Sequence, residues 1–350
     1  MESIDQLVRA NIKELIPYRS AREQFNNLDL TLLDANENAM GSVGNPNSLR
    51  RYPDPYQQEV KAKISQLQGL PSNNIFLGNG SDEIIDLLIR VFCQPGKDEI
   101  LATAPTYGMY QVSAQINDVG VAKVSLNETF DLVADKIITA ARKGTKIIFL
   151  CSPNNPTGNL LDQSQIKSVL ENYSGIVVID EAYVDFADQE SLASWCIQYP
   201  QLVVLQTFSK SWGLAGIRLG MAFASERVIY YLNKVKPPYN VNQLTQEAAL
   251  LALDQAQERK GFIEEILAQR ALLVEKLEQL PIVQHIFPSE ANFVLVRMTD
   301  PDQIYTFLQE KEVIVRNRST VVKCEGCLRI TVGTQEENQL LLDILEKYPT

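Results

Sequence analysis

From residue 75 to residue 205 the chain repeats one pattern: a short apolar run, a polar break, then a stretch whose apolar positions recur at helical spacing. The runs at 75–77, 99–103, 121–125, 146–151, 175–179 and 202–205 have the length and the Val/Ile/Leu content of buried strands. Helical stretches at 84–92, 107–116, 131–142, 162–171 and 191–199 lie between most of them, and 56–67 reads as a helix ahead of the first. Continuous apolar strands separated by helices predict a mostly parallel sheet covered by helices. After Pro237-Pro238 the texture changes to a long helical stretch at 255–280, apolar runs at 282–287, 293–297, 313–316 and 327–332, and a closing helix at 335–347. The predicted fold class is therefore α/β: a large domain with a mostly parallel sheet covered by helices, plus a smaller α+β domain. The expected division is an N-terminal arm at 1–30, a large domain at 31–245 and a small domain at 246–350. In the arm, Ile4, Leu7, Val8 and Ile12 suggest a helix that Pro17-Tyr18 ends, and a short apolar run follows at 28–33. Pro53 and Pro55 hold Tyr52 on an extended stalk.

Composition narrows the function without naming it. A net charge of −11 and a pI near 4.8 argue against a nucleic-acid partner, so any bound phosphate must be held by a local basic cluster. No apolar run reaches membrane-spanning length and the first residues lack a signal-peptide core, so a cytoplasmic protein with no membrane partner is expected. Five scattered cysteines fit a reducing compartment better than a disulfide framework. Cys324-Glu-Gly-Cys327 has the C-x-x-C spacing, but a zinc site needs further ligands, and the only histidine is His285, in an apolar run. No metal is expected, and a general base must come from another residue type.

Three predicted strands end in polar clusters: Cys151-Ser-Pro-Asn-Asn155-Pro-Thr-Gly158, Asp180-Glu-Ala-Tyr183 and Thr207-Phe-Ser209-Lys210. Asp180 and Lys210 are separated by about one strand–helix–strand unit, so both can reach the same sheet edge. Open α/β sheets bind ligands along their carboxyl edge, where a lysine amine suits carbonyl chemistry. With Arg218 as a fixed cation, the stretch suits an aldehyde that carries a phosphate, namely pyridoxal 5'-phosphate. Taken alone, a surface lysine after a core strand is an equal reading; the other clusters favour the cofactor. Asp180 would keep the pyridine nitrogen protonated, Asn155 and Tyr183 would hydrogen-bond the phenolic oxygen, and Lys210 would form the imine and carry the proton. That work requires burial and cations such as Arg218 to lower the lysine pKa. Upstream, Gly78-Asn-Gly80-Ser81-Asp82 reads as a glycine turn into a helix capped by Ser81, whose free N–H groups can seat a phosphate.

These pieces together resemble fold-type I aminotransferases over nearly the whole chain. Tyr18-Arg-Ser-Ala, Asp34-Ala-Asn36-Glu-Asn, Arg51-Tyr-Pro-Asp-Pro, Pro105-Thr-Tyr107-Gly-Met-Tyr and Gly326-Cys-Leu-Arg329-Ile-Thr-Val-Gly333 are similar, within that group, to the histidinol-phosphate aminotransferase family. The resemblance implies that Tyr107 stacks on the cofactor ring, and that Gly80, Ser81, Asp82, Thr207, Ser209 and Arg218 hold its phosphate or nitrogen side. It implies a homodimer in which Tyr52 reaches the neighbouring subunit's cofactor. It implies that Arg329 grips the carboxylate of glutamate or 2-oxoglutarate, that Arg316 with Tyr18 receives the phosphate of histidinol phosphate, and that Asn36 lies in the substrate loop. The family often has Asn where this chain has Asp34. As bare residues, Arg329 could simply face solvent from an edge strand and Arg316 and Arg318 could pair with surface acids, since clustered arginines are more often solvated than ligated. An aromatic amino-acid aminotransferase or a threonine-phosphate decarboxylase of the same fold is the nearest rival reading. A regulator that has lost catalysis is not expected, since such proteins carry a basic DNA-binding extension and the length and acidic charge of this sequence argue against one.

Overall fold

The computed structural model describes residues 3–18, 31–44 and 47–349. Short helices α1 (Ile4–Leu7) and α2 (Ala10–Glu14) lay Ile4, Leu7, Val8 and Ile12 against the large core. Helix α3 (Gln58–Gln68) then leads into β1 (Ile75–Asn79) and α4 (Gly80–Phe92). The alternation continues through β2 (Glu99–Ala104), α5 (Met109–Ile116), β3 (Gly120–Ser125), α6 (Ala134–Ala140), β4 (Thr145–Cys151), α7 (Gln163–Asn172), β5 (Ile176–Asp180) and β6 (Leu202–Thr207). A seventh strand, β7 (Leu219–Ala224), completes a sheet of order β1-β7-β6-β5-β4-β2-β3, in which β7 alone runs antiparallel to its neighbours.

The alternation of side chains explains why these strands read as unbroken apolar runs. Ile148, Leu150, Val177, Ile179, Leu202 and Val204 face one core, and Ile147, Phe149, Ile176, Val178, Val203 and Leu205 face the other. With helices on both faces, neither set can be polar.

Beyond this sheet come α8 (Glu226–Val235), α9 (Gln243–Leu253) and the long α10 (Ala256–Leu277). A second sheet, of order β10-β11-β9-β8, is wholly antiparallel; its strands are β8 (Val283–Phe287), β9 (Phe293–Met298), β10 (Arg316–Asn317) and β11 (Cys327–Thr331). Helices α11 (Pro301–Glu310) and α12 (Gln335–Leu345) pack with α10 on one face of it, over Val294, Val296, Leu328 and Ile330. No helix among the described residues is long and apolar enough to cross a membrane.

Several local expectations are corrected. Residues 191–199 do not form an α-helix: Leu192–Ile197 is a 3-10 turn capped by the Ser191 side chain and followed closely by Pro200. Strand β7 went unpredicted because it is buried along its whole length and built of Leu, Gly, Met, Ala and Phe, with no alternation and no β-branched residue. Helices α8, α9 and α11 were also missed, and the run at 313–316 is extended only at β10. Ser81 is not the helix cap. Asn79 holds that position, its backbone N–H donating to the Glu83 carboxylate, while Ser81 sits within the first turn. The first half of the apolar run at 28–33 lies outside the described residues, and 31–33 form no strand.

One glycine in β7 is required by close approach. Gly220 pairs with Gly78 of β1 and with Thr207 of β6, and a Cβ added to it would lie 2.3 Å from the Ser81 nitrogen and 2.4 Å from the Gly80 carbonyl carbon. Both obstacles are backbone, so a side chain there must push the start of α4 off the sheet. We expect Gly220→Ala to destabilise the fold by about 1–3 kcal/mol. Gly216→Ala, whose Cβ would meet nothing within 4 Å, serves as the control. Urea midpoints compare the two; equal midpoints would show that the helix start tolerates displacement.

Candidate active site

The strand register assembles the site. Cys151 at the end of β4 pairs with Asp180 at the end of β5, and Asp180 pairs with Leu205, two residues before Thr207. Thr207 lies beside Gly220, and the start of β7 pairs with the end of β1, where α4 begins. The carboxyl ends of β4, β5, β6 and β1 therefore open on one cavity. Gly80, Ser81, Asp82, Tyr107, Asn155, Asp180, Tyr183, Thr207, Ser209, Lys210 and Arg218 all line it, joined by Cys151, Ala182 and Ala215.

At its floor the Asp180 carboxylate is almost completely buried. Tyr110 of α5 donates its hydroxyl to one carboxylate oxygen at 2.6 Å, and the Ala182 N–H donates to the other at 3.1 Å. Burial raises the Asp180 pKa, against the opposing pull of those two hydrogen bonds. Tyr110 is itself fixed by stacking on Phe149, ring centroids 4.7 Å apart. The sequence reading assigned no role to Tyr110; the available signal was its position three residues after Tyr107.

Lys210 enters from the turn after β6. The turn is held by the Phe208 N–H on the Leu219 carbonyl, the Ser209 N–H on the Thr207 hydroxyl, and the Gly213 N–H on the Lys210 carbonyl. Ser211 donates to Asp185, which also pairs with Arg259 of α10, while the Arg259 guanidinium covers Trp212 at 4.2 Å. The residues that follow Lys210 are thus clamped, and none of these contacts uses the lysine side chain. Its amine sits 5.4 Å from the centre of the Tyr183 ring. Burial lowers its pKa first, and Arg329 and then Arg218 add to the effect, while Asp180 opposes it. The sequence pointed to Arg218 for this; Arg329 is the stronger cation.

On the other side, Gly80 has φ +71°, and a Cβ there would come within 2.8 Å of an Arg218 nitrogen. The missing side chain lets Arg218 lie over the start of α4, where first-turn N–H groups face the cavity with Ser81 and Ser209. Asp82, an unusual neighbour for a phosphate, accepts from Tyr107 at 3.0 Å and faces Arg218 at 3.5 Å, so its charge is occupied. The result is an anion cradle at one end of the cavity and a buried carboxylate at the floor, with a lysine between cations.

The second sheet reaches the cavity edge through Arg329. Arg329 of β11 donates to the Asn155 side-chain oxygen, while the Asn155 amide donates to the Tyr183 hydroxyl at 3.3 Å. Arg316 is exposed and pairs directly opposite Arg329. The remaining expected residues stand apart. Tyr52 is half exposed, stacks on Tyr239 at 4.5 Å, and shares with Asn36 a separate hollow that also includes Arg50 and Leu244. Tyr18 is exposed, with no hydrogen bond or ring contact to Arg316. Cys324 and Cys327 are buried in apolar core, and His285 lies on exposed β8, its ring edge-on to Phe287.

A seven-stranded sheet whose strand ends gather a lysine, a buried aspartate and an anion cradle defines a class, and the chain belongs to the aminotransferase class I and II family, whose model matches residues 23–345. Within that family it is similar to the histidinol-phosphate aminotransferase of Cytophaga hutchinsonii, 53% identical over 346 residues that cover 99% of each chain. Among solved structures it is similar to the histidinol-phosphate aminotransferase of Clostridium acetobutylicum (TM-score 0.79, 24% identity, 85% of this chain and 90% of that one). It is also similar to that of Sinorhizobium meliloti in complex with pyridoxal-5'-phosphate (TM-score 0.78, 20% identity, 89% of each chain).

Proposed function

We propose that this protein moves an amino group between L-glutamate and imidazole acetol phosphate, forming 2-oxoglutarate and histidinol phosphate, with pyridoxal 5'-phosphate as cofactor. The observation that carries the reading is the joint placement of Lys210, Asp180 and the Gly80–Arg218 cradle around one cavity. The near full-length identity to the Cytophaga hutchinsonii protein supports the choice of substrate.

The residues present fit the cofactor. The cradle of Gly80, Ser81, Thr207, Ser209 and Arg218 would hold its phosphate, with Asp82 keeping Arg218 and Tyr107 in place. Asp180 would face the ring nitrogen, Asn155 and Tyr183 the phenolic oxygen, and Tyr107 the ring face. When bound, the cofactor supplies an aldehyde that carries the amino group between substrates and a ring that takes up electrons from the substrate's α-carbon. The protein's own side chains do the rest. Lys210 holds and releases a proton at its amine, and its burial beside Arg329 and Arg218 favours the neutral, basic form. Asp180, fixed by Tyr110, provides a negative charge at the floor, where low polarity magnifies its effect. Arg329 binds the substrate carboxylate, and Arg316 meets the substrate phosphate.

A homodimer belongs to the same proposal, since Tyr52 is half exposed on a hollow separate from its own chain's cavity and would complete the neighbour's. We place the enzyme in the cytoplasm.

Steady-state assays with histidinol phosphate, phenylalanine and threonine phosphate as amino donors test the substrate assignment. Histidinol phosphate is expected to have the highest kcat/KM; a preference for phenylalanine or release of carbon dioxide from threonine phosphate would overturn it. In the same assay, Arg316→Ala is expected to raise KM for histidinol phosphate about tenfold more than KM for glutamate. Equal losses on both would remove Arg316 from the phosphate site.

A further inference from the structure

The ribbon formed by β10 and β11 carries three guanidinium groups on one face, and among the described residues no carboxylate pairs with them. Arg316 and Arg329 are directly opposed in the register, and Arg318, two residues along from Arg316, continues the same face with its N–H on the Cys327 carbonyl. Asn317, between the two, turns to the other face and bonds Asp302 of α11, so that acid does not reach the arginines. Among the described residues neither Arg316 nor Arg318 has a side-chain hydrogen bond or ion pair. The Nε atoms of Arg318 and Arg329 are both buried without an acceptor. Arg318 is only partly exposed, and Arg329, Arg316 and Tyr183 all act on its charge.

In a protein of net charge −11 this crowding is not a surface accident. Neighbouring like charges repel one another, and an anion at the ribbon would both relieve that repulsion and accept the buried N–H groups. Arg329 already leans on Asn155 at the cavity edge, which suits a single carboxylate. Two guanidiniums remain, side by side, and two positive charges match a dianion.

We propose that Arg318 is a third anion-binding residue of the site, acting with Arg316 on the phosphate dianion of the substrate, and that it is held in the ligand-free protein at a cost in stability. The proposal rests on the substrate reading above and extends it to a residue that could otherwise be taken for a solvated surface arginine.

The experiment uses the full chain loaded with cofactor, as wild type, Arg318→Met and Arg318→Lys. Thermal midpoints are measured with inorganic phosphate and with chloride at equal ionic strength, and KM is measured for histidinol phosphate and for glutamate. In chloride, Arg318→Met is expected to melt about 2 °C above wild type. Phosphate should raise the wild-type midpoint and shift Arg318→Met by less than half as much, with Arg318→Lys between them. KM for histidinol phosphate should rise at least about fivefold more than KM for glutamate. An Arg318→Met protein that melts below wild type and gains as much from phosphate would overturn the proposal, as would equal rises in both KM values. If wild type fails to use histidinol phosphate at all, the substrate reading falls, and the phosphate melts of the three proteins still decide the role of Arg318.

Discussion

Lys210→Ala is expected to lower kcat by about 10⁴-fold or more while leaving the melting curve of the cofactor-free protein nearly unchanged. The size follows from the two tasks assigned to one amine, covalent attachment of the cofactor and proton transfer, the second alone being worth about 10²–10⁴. The unchanged fold follows from geometry. The turn that carries Lys210 is held by backbone hydrogen bonds of Phe208, Ser209 and Gly213 and by the Ser211–Asp185–Arg259 clamp, none of which uses the lysine side chain. Removing an amine whose pKa is already depressed by burial also relieves a desolvation penalty. Single-turnover assays of each half-reaction measure the loss; transamination at a normal rate would remove Lys210 from the mechanism.

Asp180→Asn should be nearly as damaging to activity and opposite in its effect on stability. Loss of the floor charge is expected to cost about 10²–10³ in kcat, the scale of removing one preorganised electrostatic partner. The aspartate is costly to the protein that lacks cofactor, because burial raises its pKa in the folded state. The sign is fixed by linkage. The folded state holds the proton more tightly than the unfolded chain, so stability is full below the unfolded pKa and falls as pH climbs through the folded one. Cofactor-free wild type should therefore lose stability between mildly acidic and alkaline pH, and Asp180→Asn should lose less. Melting curves at pH 5 and pH 8 compare the two; identical pH dependence would mean that Asp180 is not the group that titrates.

Much of this site was legible because Asn155, Asp180, Tyr183, Ser209 and Lys210 lie at or just after the ends of strands. An apolar run followed at once by Asp180-Glu-Ala-Tyr183 or by Ser209-Lys210 shows both where the strand stops and what it delivers to the edge. The Gly-Asn-Gly80 turn was legible for the same reason, although the cap was misplaced: Ser81 has the preferred side chain, yet the backbone turns at Asn79. Features that depend on distant packing were hidden. Strand β7 carries no alternation because both its faces are buried, and Gly220 is required by the start of α4, far away in sequence. Tyr110 looks like any helix core tyrosine until the fold brings Asp180 beneath it. Arg329 outweighs Arg218 at Lys210 because the fold brings β11 against Asn155, which spacing along the chain cannot express. Tyr18, Asn36 and Tyr52 are not among the residues that line the cavity of their own chain, and nothing in their spacing along the sequence told them apart from those that are.

The most direct test is to treat the purified, cofactor-loaded protein with borohydride and map the modified peptide by mass spectrometry. The account predicts one reduced pyridoxal phosphate adduct, on the amine of residue 210, and none in the Lys210→Ala protein. An adduct on a different lysine of the active wild-type enzyme would contradict it.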